Sequence, residues 1–249
     1  MLILLPPSET KRSGGSRRPV DLEGLALPAL REQRAQVLAA LEELATDAET
    51  AARVLKLGPS QLGEIDDNAR VTSSPTMAAV DRYTGVLYDA LGAASLDSAA
   101  RAWLARRVLI HSAPLGPVGA LDRIPAYRLS AGTSLPGIPP LRRLWAAPVS
   151  HALEAADPGF VLDLRSEAYA ALGPVPASVA SAYVRVVAES EGGAVRALNH
   201  FNKHANGALV RRLAVQRPRL SSRAGFVRWA DAAGIRVREG SAGELELFA

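Results

Sequence analysis

The stretch VLIHSAPLGPVGALDRIPAYRLSAG, residues 108–132, guides the interpretation of the rest of the chain. Residues 108–110 are apolar and mostly β-branched, which is typical of a buried strand. Prolines at 114, 117 and 125 and glycines at 116 and 119 follow, and they predict an irregular loop of more than a dozen residues. A loop of that length inside a compact domain is usually functional or disordered. An ordinary surface loop with a salt-bridged Arg128 remains an alternative.

Polar side chains lie where this strand and loop end. His111 and Ser112 follow the apolar run directly, and Tyr127 and Arg128 close the loop with a phenol and a guanidinium. A strand that feeds a proline-stiffened loop carrying an aromatic ring and a cation is a common way to build a binding site.

Two further predicted strands end in the same way. Residues 2–5 lead into Ser8, Glu9 and Lys11, and residues 160–164 contain Asp163 and lead into Arg165. Because open α/β sheets bind ligands at the carboxyl ends of their strands, we expect these side chains to share one edge of a sheet.

The other elements follow from periodicity and from turn residues. Helices are predicted over residues 28–44, 47–57, 60–69, 76–91, 141–156 (bent or restarted at Pro148), 199–216 and 221–233. Strands are predicted at 183–188 and 194–198, joined by a glycine turn, and a hairpin at 235–238 and 244–247. The pattern predicts a single α/β domain over residues 1–249, with a central mixed β-sheet flanked by helices and a mainly helical stretch at 28–105.

Composition limits the classes of protein. The chain has 249 residues, a net charge of +4 and no cysteine, which excludes disulfides and thiolate metal sites. Only five apolar residues precede the first prolines, too few for a signal peptide, and no apolar run is long enough to cross a bilayer. We expect a cytoplasmic protein without a membrane partner. The mild positive charge permits a polyanionic partner without requiring one.

Three local patterns leave alternatives open. Gly85, beside Tyr83 and Thr84 in a predicted helix, suggests the close approach of another group, although ordinary helix packing explains it too. The basic segment at 12–18 is predicted to be a flexible loop, most simply a solvated linker. His200 and His204 have the spacing of two zinc ligands but lack the accompanying glutamate, so we predict neither a metal nor another cofactor.

Five segments together resemble the YaaA family of peroxide-stress proteins, also called the domain-of-unknown-function 328 family. They are LLPPSETK at 4–11, YTGVLY at 83–88, PAYRLSAG at 125–132, VLDLRSEAY at 161–169 and HFNKHANG at 200–207. The resemblance covers essentially the whole chain. It implies a single α/β domain with a positively charged cleft, and DNA binding through that cleft and a helix-hairpin-helix-like element. It also implies a role in limiting free iron and protecting DNA under hydrogen peroxide.

The chain departs from the family pattern at three positions. Leu115 and Gly119 stand where the family usually has an aromatic residue and an arginine, and Asn206 stands where it has a basic residue. The loss of two cations and a stacking ring weakens the expected phosphate and base contacts. A pocket adapted to a small molecule is therefore an alternative to DNA binding.

The candidate binding residues combine cations, hydroxyls and amides, which suit an anionic partner. For contact with a ligand or DNA they are Ser8, Lys11, Tyr83, Thr84, His111, Ser112, Tyr127, Arg128, Arg165, Asn202 and Lys203. Catalytic candidates are Glu9, Asp163 and Tyr127, the two carboxylates as general bases if buried. Arg128 and Lys203 are predicted to hold an anion jointly, and the phenols of Tyr83 and Tyr127 to open into the same pocket as Lys11 and Asp163.

Three functions remain open from the sequence. The first is a YaaA-like peroxide-stress protein that binds DNA without sequence preference. Its expected DNA contacts are the basic segment 12–18 together with Arg211, Arg212, Arg217 and Arg219. The second is an enzyme that acts on a small anionic or nucleotide-like substrate in the same cleft. The third is an interaction protein with a vestigial pocket. The sequence does not decide whether the protein catalyses a reaction.

Overall fold

The computed structural model describes residues 1–16, 18–189, 195–197 and 201–248. Its strands are β1 (Leu2–Leu5), β2 (Met77–Ala78), β3 (Val108–Ser112), β4 (Gly116–Gly119), β5 (Arg123–Ile124), β6 (Val161–Asp163), β7 (Ser181–Glu189), β8 (Val195–Ala197), β9 (Val237–Glu239) and β10 (Glu244–Phe248). Its helices are α1 (Arg31–Leu44), α2 (Ala48–Leu55), α3 (Glu64–Asn68), α4 (Ala79–Arg82), α5 (Val86–Leu91), α6 (Ser98–Arg107), α7 (Leu141–Ala155), α8 (Glu167–Ala170), α9 (Phe201–Gln216) and α10 (Arg223–Ala232).

The main sheet has the strand order β4-β3-β1-β6-β7-β10-β9, with β8 paired to β7. The five strands from β3 to β10 in this order run parallel, while β4, β8 and β9 pair in antiparallel fashion. Helices α6, α7 and α9 pack against β1, β4 and β7 respectively. This arrangement confirms the predicted α/β class with a mixed central sheet flanked by helices.

Strand β1 lies where the strand order reverses. The chain passes from β1 to β3 on one side and later to β6 on the other, so Ile3 is paired with both Val108 and Leu162. Its residues 3–5 are buried, as expected for a parallel strand covered on both faces. Open α/β sheets bind ligands at the carboxyl ends of the strands at such a reversal.

The proline-rich stretch after β3 is more regular than predicted, because it contains β4. Pro117 pairs with His111 at the edge of the sheet, a place where a proline need not donate a ladder hydrogen bond. Gly116 has φ +62, and a Cβ there would lie 2.9 Å from the Trp145 ring. The buried Arg34 holds the turn by donating to the Leu115 carbonyl at 2.9 Å and the Pro117 carbonyl at 3.0 Å.

The predicted helix over residues 76–91 is divided into β2, α4 and α5. The break falls at Tyr83 and Thr84, where the Thr84 amide donates to the Thr10 carbonyl at 3.1 Å and Lys11 forms a β-bridge with Tyr83. Gly85 starts α5 with φ +91, and a Cβ there would lie 3.4 Å from Ser8 Oγ. The predicted close approach is therefore made by the segment that follows β1.

The basic segment 12–18, predicted to be a flexible loop, is hydrogen-bonded to the rest of the fold at three of its described residues. Arg82 is buried and donates to the carbonyls of Arg12 and Gly14, and Ser16 bridges to Thr76. Position 17 lies outside the described residues. The side chains of Arg12 and Arg18 remain exposed.

Most other predicted elements are found, with shifted ends. Asp47 caps α2 as predicted, accepting from the Glu49 and Thr50 amides, but the third helix is only a 3-10 turn followed by α3. Helix α7 continues through Pro148 without a second start. The predicted glycine turn between β7 and β8 lies outside the described residues. No helix in the described part of the chain combines the length and apolar character needed to span a bilayer.

Candidate functional site

A cleft of about 880 Å³ opens beyond the carboxyl ends of β1 and β6. It is lined by residues 6–10, 84–88, 130–132, 164–169 and 183–186, and by Asn202, Lys203 and Asn206 of α9. All five segments that resemble the family therefore contribute to the lining, segment 83–88 nearly completely and the other four in part. Its volume suits a small molecule of drug or nucleotide size.

The charged groups of the cleft carry both signs. Glu9 and Glu167 are acidic, while Arg165, Arg185 and Lys203 are basic. Arg185 is held by Glu167 at 3.0 Å and by Glu244 at 2.9 Å. Among the described residues, the lining thus carries charges of both signs, whereas the family resemblance implied a positively charged cleft.

Three small hydroxyl side chains form one wall of the cleft. Thr84 Oγ1 donates to Thr10 Oγ1 at 2.9 Å, and Ser8 Oγ lies 3.3 Å from the same atom. Ser8 and Thr84, both predicted to contact a ligand, are brought together through Thr10, which the sequence analysis did not single out. The backbone pairing of Thr84 with Thr10 fixes the wall in place.

Lys11 lies behind this wall against two aromatic rings. Its Nζ donates to the carbonyls of Ser8 and Glu9, both at 3.1 Å, and lies 4.1 Å from the centroid of the Tyr127 ring. Burial, followed by the nearby Arg128 guanidinium, lowers the pKa of Lys11 to about 7. An amine that titrates near neutral pH can both bind anions and transfer protons.

Arg128 lies near Lys11, and its backbone is held by two hydrogen bonds to one side chain. Asn68 is buried and makes two hydrogen bonds to it: Arg128 N donates to Asn68 Oδ1 at 2.8 Å, and Asn68 Nδ2 donates to the Arg128 carbonyl at 2.9 Å. The guanidinium forms ion pairs with Glu9 at 3.7 Å and Glu64 at 3.4 Å. No local sequence signal distinguished Asn68 or Glu64 as part of the site.

Tyr83 and Tyr127 are buried and bonded to each other. Their hydroxyls are 2.7 Å apart, and Ser112 Oγ donates to Tyr127 OH at 3.0 Å. Burial raises the pKa of both phenols. Neither ring lines the cleft in the described part of the chain, which corrects the expectation that both phenols open into it. They form the floor on which Lys11 packs.

Asp163, Arg165 and His111 form a closed network beneath the cleft. Arg165 donates hydrogen bonds to both carboxylate oxygens of Asp163, at 2.9 and 2.6 Å. It also donates to His111 Nδ1 at 2.8 Å. Burial and the Arg165 charge lower the pKa of His111 well below its usual value, so the ring is neutral and its Nδ1 accepts. Because both Asp163 oxygens are engaged, this carboxylate is poorly placed to act as a general base.

Helix α9 contributes two amides and a cation to the cleft. Asn206 Nδ2 donates to the Leu164 carbonyl at 3.5 Å, so the residue that replaces the family's cation is tied to the segment after β6. Lys203 is exposed and lines the cleft, whereas Arg128 is not among the lining residues in the described part of the chain. That these two cations hold an anion jointly therefore stays a prediction. His200 of the predicted histidine pair lies outside the described residues.

The two remaining family departures lie inside the fold. Leu115 is fully buried, and the Gly119 amide donates to Asp122 Oδ2 at 2.7 Å. A Cβ at Gly119 would lie 2.9 Å from Asp122 Oδ1. An arginine at position 119 would therefore require Asp122 to move.

The arginines proposed for DNA contact are largely engaged within the protein. Arg211 donates to the Leu91 and Gly92 carbonyls at the end of α5. Arg212 donates to the Ala233 carbonyl at 3.3 Å, and Arg217 lies 3.8 Å from Asp97.

Comparison with known proteins identifies the family. The model of the peroxide stress protein YaaA family matches residues 1–233. This chain belongs to that family. A UPF0246 protein of Corynebacterium glutamicum is 41% identical over 243 residues, covering 96% of this chain and 95% of the relative. A UPF0246 protein of Streptomyces coelicolor is 45% identical over 217 residues, covering 86% and 82%.

Proposed function

We propose that this YaaA-family protein binds a small polar molecule in the cleft beyond β1 and β6. The observation that carries the proposal is the cleft itself: about 880 Å³ at the reversal of strand order, with charges of both signs on its walls. A phosphate backbone would favour a continuous positive surface, whereas a small ligand is matched by a few polar groups of either sign.

Lys11, which lies behind the hydroxyl wall of this cleft and donates to the Ser8 and Glu9 carbonyls, is our candidate for proton transfer. Its pKa of about 7 falls in the range that general acid–base catalysis uses at neutral pH. The earlier candidates are less suited, because Asp163 is held by Arg165 and the Tyr127 hydroxyl is engaged by Tyr83 and Ser112. Glu9 remains exposed.

Native mass spectrometry of the purified protein tests for a co-purifying small molecule. The variant Ala168→Trp adds a large ring to the lining of the cleft, and Ala99→Trp adds the same ring at an exposed position on α6. We expect a bound small molecule in the parent protein and in Ala99→Trp, and its loss in Ala168→Trp. Equal occupancy in both variants would contradict binding in this cleft.

DNA binding is a second candidate function, and net charge favours it. The chain carries a formal charge of +4, and Arg12, Arg18 and Arg219 are exposed. Such binding would occur mainly outside the mixed-charge cleft and would depend on phosphate contacts. A fluorescence titration with duplex DNA should then show affinity that falls steeply as salt rises. Absence of binding at low salt, or indifference to salt, would reject this function.

A further inference from the structure

We propose that Arg128 and Lys11 form a subsite for an oxyanion group of the cleft ligand, a phosphate or a carboxylate, and that the Glu9 side chain occupies the subsite until the ligand displaces it. The proposal rests on the function proposed above and adds the chemical class of the ligand. It extends the binding site beyond the lining of the cleft to the space behind residues 8–10, where Lys11 and Arg128 lie.

Glu9 connects the two cations to the cleft. Lys11 Nζ contacts its backbone carbonyl at 3.1 Å, and Arg128 Nη2 lies 3.7 Å from its carboxylate. Glu9 itself lines the cleft. An anionic group of a ligand in the cleft can therefore reach Arg128 where the Glu9 carboxylate now lies, while Lys11 is held close by through the Glu9 carbonyl.

The guanidinium of Arg128 has unused hydrogen-bonding capacity. Within the described part of the chain it makes two ion pairs, at 3.4 and 3.7 Å, and no guanidinium hydrogen bond is found. An arginine carries five N–H donors in a fork that suits a carboxylate or phosphate. Its side chain is 13% exposed, so these donors are sheltered from bulk water yet still reachable.

The Glu9 carboxylate is held weakly enough to be displaced. Its side chain is 74% exposed, and ion pairs of such exposed groups contribute little free energy because water screens them. The backbone of residues 8–11 need not move, because Lys11 binds the Glu9 carbonyl rather than its carboxylate. Rotation of the Glu9 side chain alone would open the subsite.

Lys11 lacks full compensation for its charge. Burial and Arg128 oppose its protonation, while Glu64, Glu9 and Asp67 favour it. An oxyanion beside Lys11 would favour the protonated amine, just as the acidic side chains do. The buried Asn68, by fixing the Arg128 backbone with two hydrogen bonds, keeps the second cation in place before the ligand arrives.

The test compares the binding of inorganic phosphate and of acetate in two charge-matched variants. Glu9→Gln removes the proposed competitor, and Glu43→Gln removes one negative charge at an exposed position on α1, outside the lining of the cleft. Thermal-shift titrations, with chloride at equal ionic strength as reference, yield the affinities by linkage. We expect Glu9→Gln to tighten binding about threefold and Glu43→Gln to leave it nearly unchanged. Tighter phosphate than acetate binding indicates a phosphate group, and the reverse a carboxylate.

Arg128 variants provide the opposite arm of the test. Arg128→Ala should weaken binding by about tenfold or more, and Arg128→Lys nearly as much, because lysine cannot offer the two-pronged contact. Circular dichroism establishes that the variants are folded. Equal tightening in Glu9→Gln and Glu43→Gln, or unchanged affinity in folded Arg128→Ala, would overturn the subsite. If a co-purifying molecule is still lost in Ala168→Trp, the subsite fails while the proposed function stands.

Discussion

Arg165 and Arg128 belong to the same candidate set, yet they have opposite surroundings. The Arg165 side chain is fully buried, and its guanidinium donates to Asp163, His111 and the Gly173 carbonyl. The Arg128 guanidinium is partly exposed and forms only longer ion pairs. The sequence presents both as cations close to strand or loop ends, and the structure separates a cation that holds the fold from one that can hold a ligand.

The difference shows that the hydrogen bonds a cation already makes indicate whether it can bind a ligand better than its position in a motif does. A saturated arginine has no donor to offer without breaking its present contacts, whereas a loosely paired one gains hydrogen bonds when an anion arrives. Lys11 lies between these two cases, because its Nζ already donates to the Ser8 and Glu9 carbonyls and has one N–H donor left. The following variants test this distinction.

The largest expected effect is on stability at Arg165. Arg165→Met leaves the Asp163 carboxylate buried without its partner, so we expect a loss of about 3–5 kcal/mol in the free energy of unfolding. Arg128→Met, the matched control, should cost less than about 1 kcal/mol, since its ion pairs are partly exposed. Urea unfolding measures both. Similar losses of unfolding free energy in the two variants would contradict the proposed difference between Arg165 and Arg128.

Asn68 should show an intermediate effect that links stability to binding. Asn68→Ala leaves the backbone amide and carbonyl of Arg128 without their partner, at a cost of about 2 kcal/mol. Because the guanidinium then loses its fixed position, phosphate affinity should also fall. The measurements are urea unfolding and the phosphate titration. Lower stability with unchanged affinity would make Asn68 a purely structural residue.

The tyrosine pair should affect stability without affecting binding. Tyr127→Phe removes a hydroxyl that contacts both Tyr83 and Ser112, and we expect it to cost about 1 kcal/mol. Tyr83→Phe, which removes one such contact, should cost less. Phosphate affinity should stay at the parent value in both. A loss of phosphate affinity in folded Tyr127→Phe would show that this phenol takes part in ligand binding.

A separate test is the pH dependence that Lys11 contributes. Its pKa of about 7 in the folded protein lies below the ordinary 10.5, so the unfolded chain binds more protons between these values. Stability from this group therefore rises as pH increases from 7 toward 10. Thermal melts at pH 7 and pH 9 should show a larger gain for the parent than for Lys11→Met. An equal gain would show that the Lys11 amine titrates normally.

The sequence predicted the strands that form the site better than the contacts that its side chains make. The apolar runs of β1, β3 and β6 and the polar residues after them were enough to place Lys11, Arg128 and Arg165 at one sheet edge. Strand β4 was missed because glycine and proline normally interrupt strands, and only the sheet edge and the buried Arg34 make Pro117 acceptable there. The contact between Arg128 and Asn68 could not be predicted from local sequence patterns, because the two residues are 60 positions apart.

A crystal soak in tungstate, an anomalously scattering oxyanion, would locate the anion subsite most directly. We predict an anomalous peak within contact distance of the Arg128 guanidinium and Lys11 Nζ, with the Glu9 side chain rotated away. The peak should be absent from crystals of Arg128→Ala. A peak confined to Lys203, Arg185 or the basic segment 12–18, with Glu9 still paired to Arg128, would contradict the assignment of Arg128 to ligand binding.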